Sequence, residues 1–171
     1  MRKPHECAGS ENKREMKTEI LQPTEESIRT CARYIGRGGV VAFPTETVYG
    51  LGADAFMPDA VREIFRIKGR PNDNPLIVHV FSPEQIEDVA QDISPLARKL
   101  MQSFMPGALT LVLKKKKGVP DCVTAGLPTV GVRMPSNPVC RKFLRACARP
   151  ICAPSANTST KPSPTTAMHV W

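Results

Sequence analysis

Val40-Val41-Ala42-Phe43-Pro44-Thr45-Glu46-Thr47-Val48-Tyr49-Gly50-Leu51-Gly52 is the stretch on which the fold turns. Residues 40–43 are an apolar run of strand type closed by a proline. Hydroxyls, a carboxylate and two glycines follow at once over 44–52, where an open α/β sheet presents a ligand, in the crevice beyond a strand's carboxyl end. A helical pattern from about Pro58 to Ile67 then sets Val61, Ile64 and Phe65 on one face. It delivers Lys68-Gly69-Arg70-Pro71-Asn72-Asp73-Asn74-Pro75 into a second loop before a strand over Leu76–Val80. Two cations one glycine apart suit an anionic ligand such as a polyphosphate. Pro71 and Pro75 stiffen that loop, so Asn74 adds a preorganised amide donor.

Outward from this stretch, helices alternate with short strands. Thr24 is placed to cap a helix whose Ile28, Cys31, Ala32 and Ile35 fall at i, i+3, i+4 and i+7, ended by Gly36 or Gly38-Gly39. Ser82-Pro83-Glu84-Gln85 reads as a capping box opening a short helix. Ser94-Pro95 opens another with Leu96, Leu100, Met101 and Phe104 inward, stopped by Pro106-Gly107. Leu109–Leu113 and Thr129–Arg133 are strands, and a helix from Pro138 to Ala148 buries Val139, Phe143, Leu144 and Cys147. A strand over Pro150–Ala153 runs into Pro154-Ser155-Ala156-Asn157, and a helix begins at Thr165. The pattern predicts a single α/β domain over residues 18–171, with residues 1–17 a disordered, mixed-charge extension; Met16 would also serve as a start.

At 171 residues and 41% hydrophobic composition the chain can bury a real core. No apolar run approaches the ~18 residues that span a bilayer, and the amino terminus lacks a secretory signal's apolar centre, so a cytoplasmic protein without membrane association is expected. Six cysteines without a Cys-x-x-Cys, beside three scattered histidines, read as reduced thiols and provide no metal site. Net charge is +8 and uneven: from Arg98 onward twelve Lys or Arg face the single acid Asp121. Lys114-Lys115-Lys116-Lys117 is the sharpest cluster, open to two readings, an RNA or polyanion contact or a solvated turn.

Taken residue by residue, Lys68 is either a ligand contact or a helix-terminal cation that satisfies carbonyls. Ser155 and Asn157 are either hydrogen-bond partners of a phosphate or ribose or an ordinary Asx-turn. Glu46 could meet an ammonium group or be a solvated turn residue. His79 in an apolar strand reads first as a core histidine, and Arg133 as a carboxylate fork or a salt bridge.

The segment Pro44–Gly52, Lys68-x-Arg70, Asn74-Pro75-Leu76 and Ser155-Ala156-Asn157, in that order, closely resemble the YrdC/Sua5 family of threonylcarbamoyl-AMP synthases. The resemblance runs from about Glu25 to Trp171. It implies a YrdC/RibB-like twisted mixed sheet flanked by helices. It also implies a nucleotidyltransferase that joins L-threonine, bicarbonate and ATP into threonylcarbamoyl-AMP and pyrophosphate. The adenylate would then serve modification of adenosine 37 in tRNAs reading ANN codons, delivered to tRNA or to tRNA-modification proteins. Matched by motif position, Thr47, His79, Arg133 and the Ala153 backbone form the L-threonine set, and Arg70, Asn74, Thr129, Ser155 and Ser163 the ATP set. Lys68, Arg70, Ser155 and Asn157 match the catalytic tetrad. Mg²⁺ would enter with ATP, with no prosthetic group. Thr160 stands where the family usually carries glycine, and the resemblance implies further strands after Trp171. The alternatives are a non-catalytic RNA- or nucleotide-binding module of the same fold and a relative acting on another carbamate.

Overall fold

The computed structural model describes residues 18–69, 74–157 and 164–169. The expectations for residues 1–17, Cys7, Arg70, Thr160 and Ser163 lie outside them. Seven strands form one mixed sheet: β1 (Val41–Phe43), β2 (Gly50–Asp54), β3 (Ile77–His79), β4 (Ala90–Gln91), β5 (Thr110–Lys115), β6 (Thr129–Arg133) and β7 (Ile151–Ala153). Their order is β1-β2-β7-β3-β6-β5-β4, with β3 and β6 parallel and every other pairing antiparallel.

Helices begin where their caps say. Thr24 Oγ1 accepts the Ser27 amide at 3.2 Å and starts α1 (Glu25–Gly36), and Ser94 Oγ accepts the Ala97 amide at 3.2 Å and starts α4 (Pro95–Phe104). The Asn137 side chain receives two amides at the head of α6 (Pro138–Cys147). α2 (Pro58–Lys68) stops at Gly69, whose φ of 58° closes the helix in the left-handed region.

Strand alternation divides the core in two. Val78, Val130, Val132, Cys152, Leu51 and Ala53 point to one side, against Val61, Ile64 and Phe65 of α2. Phe43, Ile151 and Ala153 point to the other, against Ile28 and Ile35 of α1 and Phe143, Leu144 and Cys147 of α6.

Several expectations need correction. Residues 50–52 are not loop but the start of β2, buried along its whole length. A Cβ on Gly52 would stand 2.6 Å from Phe43 Cε1 and 2.8 Å from Ile151 Cγ2, so this glycine lets two core side chains close over the strand instead of admitting a ligand. In α4, Ala97 and Met101 turn inward while Leu96 and Phe104 are exposed. The short helix expected after Ser82 is α3 (Ile86–Val89), but the capping box does not form: Gln85 Oε1 accepts the Phe81 amide at 3.0 Å. α5 (Asp121–Thr124) and β4 are additional, and a 3-10 turn over Ala167–His169 stands where a helix was expected to begin.

Candidate functional site

The register of the central strands collects most of the expected site residues on the sheet face that carries α1 and α6. His79 pairs with Arg133 and with Ile151, Ile77 pairs with Gly131 and with Ala153, and the β2–β7 ladder continues as a bridge between Gly50 and Ser155. With a period of two, Thr129, Gly131, Arg133, Ile77, His79, Ala153 and Ser155 share that face. The two helices cover only its β1–β2–β7 side. Towards β5 it lies open, and Val112 there is 70% exposed. Thr110 and Val112, opposite Arg133 and Gly131, were not read as site residues, although alternation along 110–115 puts them on the same face. Most of the expected site residues thus line a sheet face and do not gather in a crevice past strand carboxyl ends.

Arg133 is the buried cation of this face, 8% exposed. Its Nη2 forms an ion pair with Glu46 Oε1 at 3.1 Å and donates to Thr47 Oγ1 at 3.3 Å, tying β6 to the β1–β2 loop. Its Nε is buried with no hydrogen-bond partner. That loop is self-braced, for Thr45 Oγ1 accepts the amides of Thr47 and Val48 at 3.2 Å each. The Glu46 side chain is 20% exposed. Burial pushes its carboxyl up, but hydrogen bonding from its own backbone, the adjacent Arg133 and the Ser136 backbone hold it below its ordinary 4.5.

His79 is 4% exposed, with Nδ1 3.2 Å from Ile77 O and its ring edge-on to Phe43 at 5.5 Å. Burial first, then the charge of Arg133, push its pKa down to about 4, so the ring is neutral at pH 7. Burial likewise raises the thiols of Cys140 and Cys147 to about 12, in keeping with inert, reduced cysteines, and the five described cysteines are all free.

Lys68 and the turn after β7 also meet. The Lys68 side chain, 7% exposed, donates from Nζ to Ser155 O at 2.5 Å and to Asn157 O. Ser155 Oγ donates to Asn157 Oδ1 at 2.6 Å. Backbone bonds from Leu51 N to Pro154 O and from Ala156 N to Tyr49 O lock the same turn onto β2. Asn74 is exposed ahead of β3. Thr129 opens β6, four residues and ~13 Å from Arg133 along the strand. The structure therefore joins Thr47 to Arg133 and Lys68 to Ser155 and Asn157, and spaces Thr129 at the other end of the same strand.

A separate cavity of about 410 Å³ lies beyond Phe43, lined by Ile20, Leu21, Cys31, Tyr49 and Val139 among others. It is mainly apolar and includes none of Lys68, His79, Arg133 or Ser155. The lysine cluster is largely engaged: Lys114 pairs with Asp92 at 2.6 Å, Lys115 with Asp121 at 2.5 Å, and Lys116 donates to Glu87 O at 2.8 Å. Among the described residues no three His, Cys, Asp or Glu side chains converge as a metal site, and no helix is long and apolar enough to cross a membrane.

Comparison with known proteins identifies the family and the fold. The Sua5_yciO_yrdC family model, described as telomere recombination, matches residues 33–171. The chain is 55% identical over 146 residues to a threonylcarbamoyl-AMP synthase of Pyrococcus abyssi (strain GE5 / Orsay), covering 85% of this chain and 43% of the relative. It is 50% identical over 154 residues to that of Bacillus subtilis (strain 168), covering 90% and 44%. It superposes on P. abyssi Sua5 complexed with L-threonine with a TM-score of 0.84 at 54% identity, covering 86% of this chain and 43% of that one. The chain thus spans less than half the length of these relatives.

Proposed function

The chain belongs to the Sua5/YciO/YrdC family, and from that premise we propose that it forms threonylcarbamoyl-AMP and pyrophosphate from L-threonine, bicarbonate and ATP. The adenylate is the donor for threonylcarbamoylation of adenosine 37 in ANN-decoding tRNA, passed to tRNA or to the proteins that modify it. The cytoplasm is the compartment this reading implies.

In the reaction a neutral amine meets bicarbonate, water leaves, and a carbamate forms. A carbamate oxygen then attacks the α-phosphorus in line as the bond to pyrophosphate breaks. Arg133 binds the threonine carboxylate. Thr47, the neutral ring of His79 and the Ala153 backbone complete the amino-acid subsite. Lys68 and Arg70 bring positive charge to the phosphates; Ser155, Asn157, Asn74, Thr129 and Ser163 supply hydrogen bonds along the nucleotide. Mg²⁺ would enter with ATP and would neutralise phosphate charge beside Lys68 and Arg70. Positioning and charge stabilisation carry the chemistry, with no protein nucleophile.

The observation that supports this reading most is Arg133: a guanidinium 8% exposed, beside the Thr47 hydroxyl, with Nε lacking any partner. A buried charged donor left unsatisfied is costly, and a ligand carboxylate removes that cost. In support, a relative 54% identical in sequence is the one complexed with L-threonine. Calorimetry of the chain with ATP and with L-threonine, followed by a pyrophosphate-release assay, tests it. Binding of both ligands, release dependent on threonine and bicarbonate, and loss of release in Lys68→Ala and Arg70→Ala are expected. Unchanged release in both variants would reject the assignment.

A further inference from the structure

We propose that Glu46 is a specificity-determining residue that receives the α-ammonium of the amino-acid substrate while its neighbour Arg133 takes the α-carboxylate. This rests on the amino-acid subsite proposed above. The two side chains make a charge pair of the size an amino-acid zwitterion needs, with Glu46 Oε1 3.1 Å from Arg133 Nη2. Arg133 retains a partnerless, buried Nε on the same guanidinium. A carboxylate held by this guanidinium has its α-nitrogen two bonds from its carboxyl carbon, and Glu46 Oε1 lies 3.1 Å from Nη2 of the same guanidinium. A carboxylate group offers about four acceptor positions, so one guanidinium contact does not exhaust it.

The remaining neighbours point the same way. Glu46 is held ionised by backbone donors and by Arg133, so it is an acceptor of cations and a poor proton acceptor. His79 is neutral and does not compete for that role. Asp54, the buried carboxylate among the described residues, is committed elsewhere: its Oδ2 accepts from Arg149 Nη1 at 2.6 Å and its Oδ1 from the Phe56 amide at 2.9 Å. Holding the ammonium strengthens substrate binding. Once the ammonium has released its proton to solvent and the neutral amine has become a carbamate anion, the positive charge on nitrogen is gone, so the contact acts on capture more than on turnover.

The test uses three ligands by calorimetry: L-threonine, the 2,3-dihydroxybutanoate of matching configuration, which lacks the ammonium, and L-threoninol, which lacks the carboxylate. The wild-type chain is expected to prefer threonine to the deaminated acid by roughly ten- to a hundredfold, as a charge-assisted contact gives. Glu46→Gln should bring that ratio close to one while the preference for threonine over threoninol persists. Glu46→Asp, which keeps the charge and guards against a folding defect, should restore part of the ammonium preference. If Glu46→Gln keeps the full ammonium preference, or loses the carboxylate preference instead, Glu46 is no more than a strut for Arg133 and the inference fails. If the wild-type chain binds none of the three, the amino-acid subsite itself is wrong.

Discussion

Replacing Lys68 by Met separates two roles that its position could serve, a phosphate contact and a structural tie. The side chain is 7% exposed, and its Nζ donates to the carbonyls of Ser155 and Asn157, 87 and 89 residues away in sequence. Hydrogen bonds to a charged group contribute about 1.5–3 kcal/mol each. Methionine fills similar volume and removes the cost of burying an ammonium, which offsets part of the loss. The net destabilisation expected is about 2–4 kcal/mol, read from urea unfolding. The loss should also be local. The Ala156 amide, bonded to Tyr49 O at 2.8 Å, should exchange with deuterium far faster, whereas amides in the centre of β6 should change only with global stability. ATP affinity should fall in the same variant, because the turn bearing Ser155 and Asn157 is no longer held. A variant that matches wild type in stability and in Ala156 protection would refute the tie, and Lys68 would then be a ligand contact alone.

Three further outcomes follow from the packing and the charges. Gly52→Ala should lose about 1–2 kcal/mol, because overpacking costs about 1–3 and the stiffer unfolded chain returns only about 0.4–1. Gly50→Ala, whose Cβ would sit at 3.3 Å from Ala153 Cβ and Phe43 Cζ, should lose less than half as much, and equal losses in thermal unfolding would discount the Phe43 contact. His79, with a folded pKa of about 4 against an ordinary 6.5, makes the unfolded chain bind more protons between those values. Its stabilising contribution is therefore present above about pH 6.5 and lost as pH falls towards 4, about 2 kcal/mol between pH 7 and 5. His79→Gln should flatten that slope in urea titrations, and an unchanged slope would assign it elsewhere. Replacing Lys114, Lys115, Lys116 and Lys117 together by Gln should change polyuridine affinity and its salt slope little, since three of the four are engaged locally; a large loss by fluorescence anisotropy would restore the RNA-binding reading.

Helix starts were legible because the signal is local. Thr24 and Ser94 each satisfy an amide three residues on, so their meaning is set within the segment itself, whereas the Ser82 box was lost to a contact of Gln85 with the Phe81 amide. The inward face of α4 was not legible. Of the expected inward row Leu96, Leu100, Met101 and Phe104, Met101 is buried whereas Leu96 and Phe104 are exposed and Ala97 takes the other buried place, a choice that tertiary packing makes. Gly50 and Gly52 misled in the same way. Glycines beside a hydroxyl-rich turn fit a ligand-approach loop, and the side chains that crowd them, Phe43 at both, Ala153 at Gly50 and Ile151 at Gly52, lie in the flanking strands β1 and β7. Lys68 and Ser155 were separately visible as polar groups in turns. Their contact depends on β7 lying between β2 and β3, an order that adjacent sequence does not encode.

The convergence of the site is tied to burial by the strand period. Val78 and Val132 are fully buried on the α2 side, and their neighbours His79 and Arg133 must then face the other way. A one-residue slip of β6 would put Arg133 among Val61, Ile64 and Phe65 and expose Val130 and Val132, losing about 1.5–3 kcal/mol for each valine and stranding a buried charge. The valines that say nothing about chemistry therefore fix where the guanidinium points. The β1–β2 loop adds the rest, because Phe43 is buried against α6 on the same face, so the chain leaving β1 carries Glu46 and Thr47 over the sheet to Arg133. The same forces that close the core assemble the polar cluster, and a core substitution that shifts β6 should weaken amino-acid binding before it unfolds the chain.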